Sequence, residues 1–154
     1  MTLPDRIERT LVLPVPRQRV WDAITKPEHL AHWLGMVSAM DFRVGGEIHF
    51  TWENERSPYP GIIEVIEPEQ RFAFRWSSYA IGHPKLKLAT TSSTLVEFTL
   101  EELAEGTLLT LVESGFASLP QTIPAGEVYQ DNQHGWQALL SDLHAYLQSQ
   151  GEAV

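Results

Sequence analysis

The sequence contains no cysteine, which excludes disulfide bonds, thiolate nucleophiles and cysteine-ligated zinc or iron–sulfur centres. It has no apolar run near the ~18 residues of a membrane-spanning helix, and its N-terminus carries charges where a signal peptide needs an apolar block. Basic residues are scarce, 11 against 20 acidic ones, and the net charge of -9 opposes binding to nucleic acid or anionic lipid. We therefore expect a cytoplasmic protein with no nucleic-acid partner and no membrane insertion.

What is present is typical of one globular unit. The 154 residues are 43% hydrophobic and 20% charged, a composition that supports a sizeable core. We expect a single domain over residues 1–154, with an ordered core from about 6 to 148 and a loose C-terminal tail. The sequence leaves open whether the protein is a monomer or a homodimer.

Apolar spacing and turn residues predict the elements. A strand over Arg6–Leu13 ends at prolines, and two short helices follow, over Arg17–Thr25 and from Pro27 to Gly35. Further strands are predicted over 36–44, 47–53, 61–66, 71–78, 94–101 and 107–114, whereas 86–93 shows no clear pattern. A long helix from about Val128 to Gln148 has one apolar stripe, formed by Trp136, Leu139, Leu140, Leu143 and Leu147.

Strand alternation places the aromatic residues on one face. Pairing Ile63 with Phe74 and Val65 with Phe72 puts these four side chains together, and extending the register sets Phe50 opposite Ile63 and Trp52 near Gly61. Charged residues, including Glu64, Arg71 and Arg75, then share the outer face, where ion pairs are expected. The predicted fold is α+β, with a curved antiparallel sheet of about seven strands around the C-terminal helix and the short helices closing one end.

Five segments in order, VWDAITKPEHLAHWLG, DFRVGGEIHF, GIIEVIEPEQRFAFRW, GTLLTLVESGF and HGWQALLSDLHAYL, carry a family likeness. The chain resembles the SRPBCC superfamily of START-like, helix-grip proteins, and within it the branch named after the activator of Hsp90 ATPase. The resemblance implies an apolar cavity between sheet and long helix. Because the family's co-chaperone also has a separate N-terminal domain, we do not expect Hsp90 co-chaperone activity from this chain.

The predicted ligand-binding site is the inner face of the sheet, together with polar residues at its rim. Tryptophan offers broad apolar contact and one N–H donor, which suits an aromatic ligand, although core packing alone would also account for these rings. Trp21 is assigned to the core. The predicted ligand-binding residues are Trp33, Phe50, Trp52, Ile63, Phe74, Trp76, Tyr79, Phe98, Leu111, Glu113, Tyr129, Asn132, Trp136 and Leu140.

Glu113 is the most informative carboxyl group. Pairing Leu100 with Leu109 places Glu113 on the apolar face of its strand, where a buried charge is costly. It could serve there as a general base or a ligand anchor, or instead reach solvent at the strand end. We expect no cofactor and no metal, and interpret His29 and His32 as a solvated surface, since no carboxylates complete a ligand set around them.

Three functions remain open. The first is binding of a small apolar or aromatic molecule, for which the concentration of inward aromatics is the motive. The second is a cyclase-, aromatase- or hydrolase-like enzyme that uses Glu113 with a tyrosine, because acid–base catalysis needs a group within hydrogen-bond reach of substrate. The third is a protein-interaction domain, which predicts an exposed apolar patch.

Overall fold

The computed structural model describes residues 4–52, 55–56, 60–77, 93–119 and 125–152, with the backbone alone for Met36, Trp52, Glu55, Arg56, Gly151 and Glu152. Within these ranges the strands are β1 (Arg6–Leu13), β2 (Met36–Met40), β3 (Glu47–Trp52), β4 (Glu55–Arg56), β5 (Gly61–Glu67), β6 (Arg71–Trp76), β7 (Thr94–Leu103) and β8 (Gly106–Ser114). The helices are α1 (Arg17–Thr25), α2 (Pro27–Leu30) and α3 (Ala125–Glu152), and a 3-10 turn, Phe116–Ser118, precedes α3.

The strands form one antiparallel sheet in the order β1-β8-β7-β6-β5-β3-β2, and the two-residue β4 pairs with β3. Antiparallel pairing follows from the short hairpin connections along the chain. The predicted α+β helix-grip fold is confirmed, with the sheet, the two early helices and the long C-terminal helix in the expected order. No helix in the described ranges is long and apolar enough to cross a membrane.

The predicted registers are correct in the C-terminal half of the sheet. Leu100 pairs with Leu109 as expected, and this register continues without a shift to Val96 opposite Glu113. Ile63 also pairs with Phe74, but an irregularity follows it on β5. As a result Val65 faces Ala73, and the prediction that it faces Phe72 is wrong.

The predicted register between β3 and β5 is wrong. Gly61 pairs with Ile48, whereas the prediction placed it beside position 52, four positions further along β3. Because side chains alternate with a period of two, a shift of four leaves every side chain on its predicted face. Phe50 is accordingly buried, with its ring centroid 5.6 Å from that of Phe74.

Several boundaries differ from the prediction. The second short helix ends at Leu30 and continues only as turns, and β2 ends at Met40 instead of residue 44. A loop fills the remaining residues before the Gly45-Gly46 turn, where Gly45 has a φ of 85° that favours glycine. The helix α3 is longer than predicted because it begins at Ala125 and extends past Gln148.

The core lies between the inner face of the sheet and α3. The helix buries its predicted stripe, with Trp136, Leu140, Leu143 and Leu147 all nearly inaccessible. The early helices close one end of this layer: the Trp33 ring lies 6.2 Å from that of Phe98, and its Nε1 donates to the carbonyl of Ala23 at 2.8 Å. Burial of a tryptophan contributes on the order of 4–6 kcal/mol as an upper bound, so these contacts fix the helices to the sheet.

The outer face carries the expected ion pairs. Arg75 bonds Glu64 at 2.6 Å across the β5–β6 hairpin, and Arg71 bonds Glu97 at 2.6 Å on β7. The hydrogen bond that Arg71 donates to Glu97 is the main reason that the pKa of Arg71 is raised above its ordinary value. Such exposed pairs contribute little to stability, so the fold depends on the inner face.

Candidate functional site

Among the described residues, the inner face contains one fully buried carboxyl group, that of Glu113. This residue is next to last in β8, between Ile7 on β1 and Val96 on β7. Its exposed fraction is 0%, and its neighbours on the same strand face, Leu109 and Leu111, are buried apolar residues. The prediction that Glu113 faces inward is therefore correct, and the alternative of a strand-end residue reaching solvent is wrong.

Four neutral side chains donate hydrogen bonds to this carboxyl group. Trp136 Nε1 donates to Oε1 at 2.8 Å, and Trp76 Nε1 donates to Oε2 at 2.8 Å. The hydroxyl of Thr94 donates to Oε2 at 2.5 Å. The amide nitrogen of Asn132 lies between the two oxygens, 3.0 Å from Oε1 and 3.1 Å from Oε2. The donors come from β6, β7 and α3, so the carboxyl group ties the helix to three adjacent strands.

The chemistry of these donors matches a carboxylate. An indole N–H and an amide N–H can only donate, and an ionised carboxyl group can only accept. None of the ion pairs within the described residues involves Glu113. The group is thus held by hydrogen bonds from uncharged donors, and hydrogen bonds to charged groups are stronger than those between neutral partners.

Aromatic rings surround the carboxyl group. The rings of Trp76 and Trp136 lie 5.6 Å apart at 31°. Phe50 approaches Trp76 at 5.6 Å and 68°, and Phe98 approaches Trp136 at 6.1 Å and 84°. Edge-to-face and offset contacts of this kind add to the stability gained from burial alone. The site is therefore a single acidic group enclosed by rings.

Most of the other predicted site residues belong to this inner layer. Ile63, Phe74, Leu111 and Leu140 are all at most 5% exposed. Trp33 is buried in the lid formed by α1, α2 and the turns that follow them, and its N–H bonds a backbone carbonyl. The structure thus brings the predicted apolar residues together, although core packing and ligand contact would give them the same burial.

Tyr129, a predicted rim residue, does not join the Glu113 group. Tyr129 packs its ring against Phe116 at 5.2 Å and directs its hydroxyl toward the carbonyl of Arg6 at 3.4 Å. It therefore does not supply the acid–base partner that the enzyme hypothesis needs. The Trp52 side chain and the whole of Tyr79 lie outside the described residues, so their predicted roles stay predictions.

The sequence-based prediction missed Thr94. This residue pairs with Trp76 across β6 and β7, two positions from Val96, which faces Glu113. Residues two apart on a strand share a face, so the correct β7–β8 register already places Thr94 diagonally across from the carboxyl group. The register therefore contained the position of Thr94 beside Glu113, but a threonine at the start of a strand is not by itself a sign of a binding site.

A second polar group joins the lid to the C-terminal end of α3. His29 Nδ1 shares a hydrogen bond of 2.6 Å with the hydroxyl of Tyr146, which also accepts one from Gln150 Nε2 at 2.7 Å. The His32 ring stacks on Tyr146 at 4.7 Å and 12°, and Arg19 donates to Gln150 at 3.1 Å. The interpretation as a solvated surface is correct for His32, which is exposed, and wrong for the half-buried His29, which is hydrogen-bonded to Tyr146. Burial raises the pKa of Tyr146 above its usual value.

Within the described residues, no three His, Asp or Glu side chains lie close enough to hold a metal ion. The two lid histidines contact a phenol rather than carboxylates.

Comparison with known proteins places this geometry in context. The sequence profile of the family described as activator of Hsp90 ATPase homolog 1-like protein matches residues 14–148. No curated protein sequence matches the chain.

Solved structures share the fold over nearly the whole chain. DynU16, a protein in the dynemicin biosynthetic locus, is 28% identical with a TM-score of 0.73; the match covers 95% of this chain but only 48% of DynU16. CV1439 from Chromobacterium violaceum is 26% identical, with coverage of 94% and 98% and a TM-score of 0.69. CalU16 from Micromonospora echinospora is 22% identical, with coverage of 96% and 83% and a TM-score of 0.64.

Proposed function

The chain belongs to the activator of Hsp90 ATPase homolog 1-like family, and we propose that it binds a small apolar or aromatic molecule between the sheet and α3. The single observation that supports this most is the buried carboxyl group of Glu113 among tryptophan rings. The proposal includes a cytoplasmic location and a monomeric or homodimeric state, and it does not include Hsp90 co-chaperone activity.

A buried carboxylate in an apolar layer is expensive for a fold. Its desolvation costs several kcal/mol, and replacement of buried ionic groups by apolar ones is often neutral or stabilising. Groups of this kind are frequent at binding and catalytic sites. Glu113 among aromatic rings thus fits a pocket of the usual type, which is mostly apolar with a few placed polar groups.

The donor set suggests how a ligand reaches the carboxylate. Thr94 and Trp136 are almost completely buried and Trp76 is 6% exposed, whereas Asn132 is only half-buried. Asn132 also makes the two longest hydrogen bonds of the set. A ligand that carries a hydrogen-bond donor can therefore replace the Asn132 amide while the two indoles keep their contacts.

The enzyme hypothesis receives less support. Each carboxyl oxygen of Glu113 accepts at least two hydrogen bonds, and a general base needs a free lone pair directed at the proton that it removes. Of the two rim tyrosines, Tyr129 points elsewhere, and Tyr79 lies outside the described residues. We therefore favour binding, with Glu113 as the polar anchor.

Titration with N-phenyl-1-naphthylamine tests the proposal. This neutral aromatic probe carries one N–H donor and fluoresces strongly in apolar surroundings. We expect saturable binding to the wild-type protein and about tenfold weaker binding to Glu113→Gln, a loss of roughly 1.4 kcal/mol. Asn132→Ala should bind at least as tightly as wild type, because it removes the competing amide.

The matched control is Glu101→Gln, the same exchange at an exposed position of β7. It should bind like wild type. Near-ultraviolet circular dichroism verifies that each variant is folded. Absence of saturable binding to wild type and to Asn132→Ala, both folded, would refute the proposal.

A further inference from the structure

The charge of the site restricts the chemistry of its ligand. Resting on the proposed function, we infer that the natural ligand carries a protonated amine beside its apolar or aromatic part, and that this ammonium binds the Glu113 carboxylate. The inference starts from the composition of the site: two indoles, one hydroxyl and one amide surround the acid, and all of them are neutral.

The indoles stabilise the anion without neutralising it. Trp76 and Trp136 present their N–H edges to the two oxygens, so they act as neutral donors and bring no positive charge to the carboxyl group. Among the described residues no Lys, Arg or His side chain is paired with Glu113. A cationic ligand would supply the missing charge in a low-dielectric layer, where the attraction between opposite charges is strongest.

The position of Asn132 suits replacement by an ammonium group. Its amide nitrogen contacts both carboxyl oxygens, at 3.0 and 3.1 Å. An ammonium group has three donors and can make the same two contacts with charge assistance. Since Asn132 is half-buried, its side chain can turn toward solvent without leaving a buried donor unsatisfied.

The charge of the whole chain acts in the same direction. Its net charge is -9 and its pI about 5.0, so the surrounding field attracts cations and repels anions. An anionic ligand would have to overcome that field and then lie beside a buried carboxylate. A neutral ligand would be neither attracted by the field of the protein nor stabilised by charge pairing with Glu113.

Three probes with the same ring system test the inference by isothermal titration calorimetry at pH 7: 2-naphthylmethylamine, 2-naphthylmethanol and 2-naphthoic acid. We expect the amine to bind wild type at least tenfold more tightly than the alcohol, and the acid more weakly than both. Glu113→Gln should remove the preference for the amine, and it should weaken binding of the alcohol about tenfold, as it does for the neutral probe above. Glu101→Gln should keep the preference.

A second variant covers the case in which Glu113→Gln does not fold. Asn132→Lys places an ammonium group of the protein next to Glu113, so the amine should lose most of its advantage over the alcohol. Equal affinity of amine and alcohol for wild type would overturn this inference and leave the proposed function standing. A preference that survives in folded Glu113→Gln or in Asn132→Lys would also overturn it. If none of the three probes binds, the proposed function itself fails.

Discussion

The helix α3 takes part in two polar groups, one near each end, and they differ in depth. Near its start, Asn132 and Trp136 donate to a carboxyl group that is 0% exposed. Near its end, Tyr146 bonds the half-buried His29 at the edge of the lid and accepts a hydrogen bond from Gln150. Both groups attach the helix to the rest of the protein, yet only the first contains a carboxyl group that is fully removed from water.

The difference predicts different consequences of losing one partner. Apart from the half-buried Asn132, a donor left unsatisfied in the buried group cannot turn to water, so it bears the full desolvation penalty of about 1–3 kcal/mol. A donor left unsatisfied at the lid can be solvated, and the cost falls to that of an ordinary hydrogen bond. The depth of burial of each group, rather than its number of hydrogen bonds, should therefore determine which substitutions along α3 cost the most stability.

The largest effect is expected for Glu113→Gln. The glutamine amide can accept on one oxygen only, and its NH₂ group would face a donor, either an indole or the Thr94 hydroxyl. We expect the free energy of unfolding to fall by about 3 kcal/mol, measured by urea denaturation without ligand. That loss leaves a domain of ordinary stability folded. Glu101→Gln should stay within about 0.5 kcal/mol of wild type, and equal stability of the two variants would refute the comparison.

Trp136→Phe should have the next largest effect. It removes the N–H donated to Oε1 and part of a ring that is 1% exposed. We expect the free energy of unfolding to fall by about 2–3 kcal/mol, because the smaller ring leaves a cavity and the hydrogen bond is lost. Trp21→Phe is the matched control, because Trp21 is only half-buried and contacts Phe72 at its edge. A control that loses as much as Trp136→Phe would show that ring size, and not the carboxylate contact, sets the effect.

Tyr146→Phe tests the half-buried group at the lid, which consists of Tyr146, His29 and Gln150. It removes one hydroxyl and its bonds to His29 and Gln150, and we expect a loss of about 1 kcal/mol at pH 7. Burial raises the pKa of Tyr146 above its unfolded value of 10.0, so its contribution is fully present below pH 10 and is lost as the pH rises through the folded pKa. Urea denaturation between pH 8 and 11 should show a steeper decline for wild type than for Tyr146→Phe. Parallel curves would contradict this.

Alternation made the fold predictable even where register failed. The β3–β5 pairing was wrong by four positions, but the even shift kept Phe50 beneath the helix. An irregularity after Ile63 was not predictable in the same way, because a bulge depends on backbone geometry that side-chain pattern does not encode. Periodicity therefore predicted which side chains face the core up to this irregularity, beyond which Ile66 rather than Val65 packs against the core.

The candidate site was predictable in part for the same reason. The register of β7 and β8 is regular, so the inward position of Glu113 followed from it. The hydrogen bonds did not, because they depend on rotamers of Trp76 and Trp136 that bring both N–H groups to one carboxyl group. The lid histidines were missed because their partner, Tyr146, lies 117 residues from His29 in the sequence.

His32→Ala should have the smallest effect, because His32 is exposed and contacts Tyr146 only through its stacked face. We expect the free energy of unfolding to fall by about 0.5 kcal/mol. This is the lower end of the stabilisation that aromatic pairs give, because the stacked rings remove little area from water. The double variant with Tyr146→Phe should be nearly additive, because phenylalanine keeps the ring on which His32 would stack while losing only the hydroxyl that binds His29. Urea denaturation of the four proteins measures the coupling. If His32→Ala lowered the free energy of unfolding by more than 1.5 kcal/mol, the Tyr146 group would hold the helix as firmly as the Glu113 group. Depth of burial would then not determine the ranking of these stability losses.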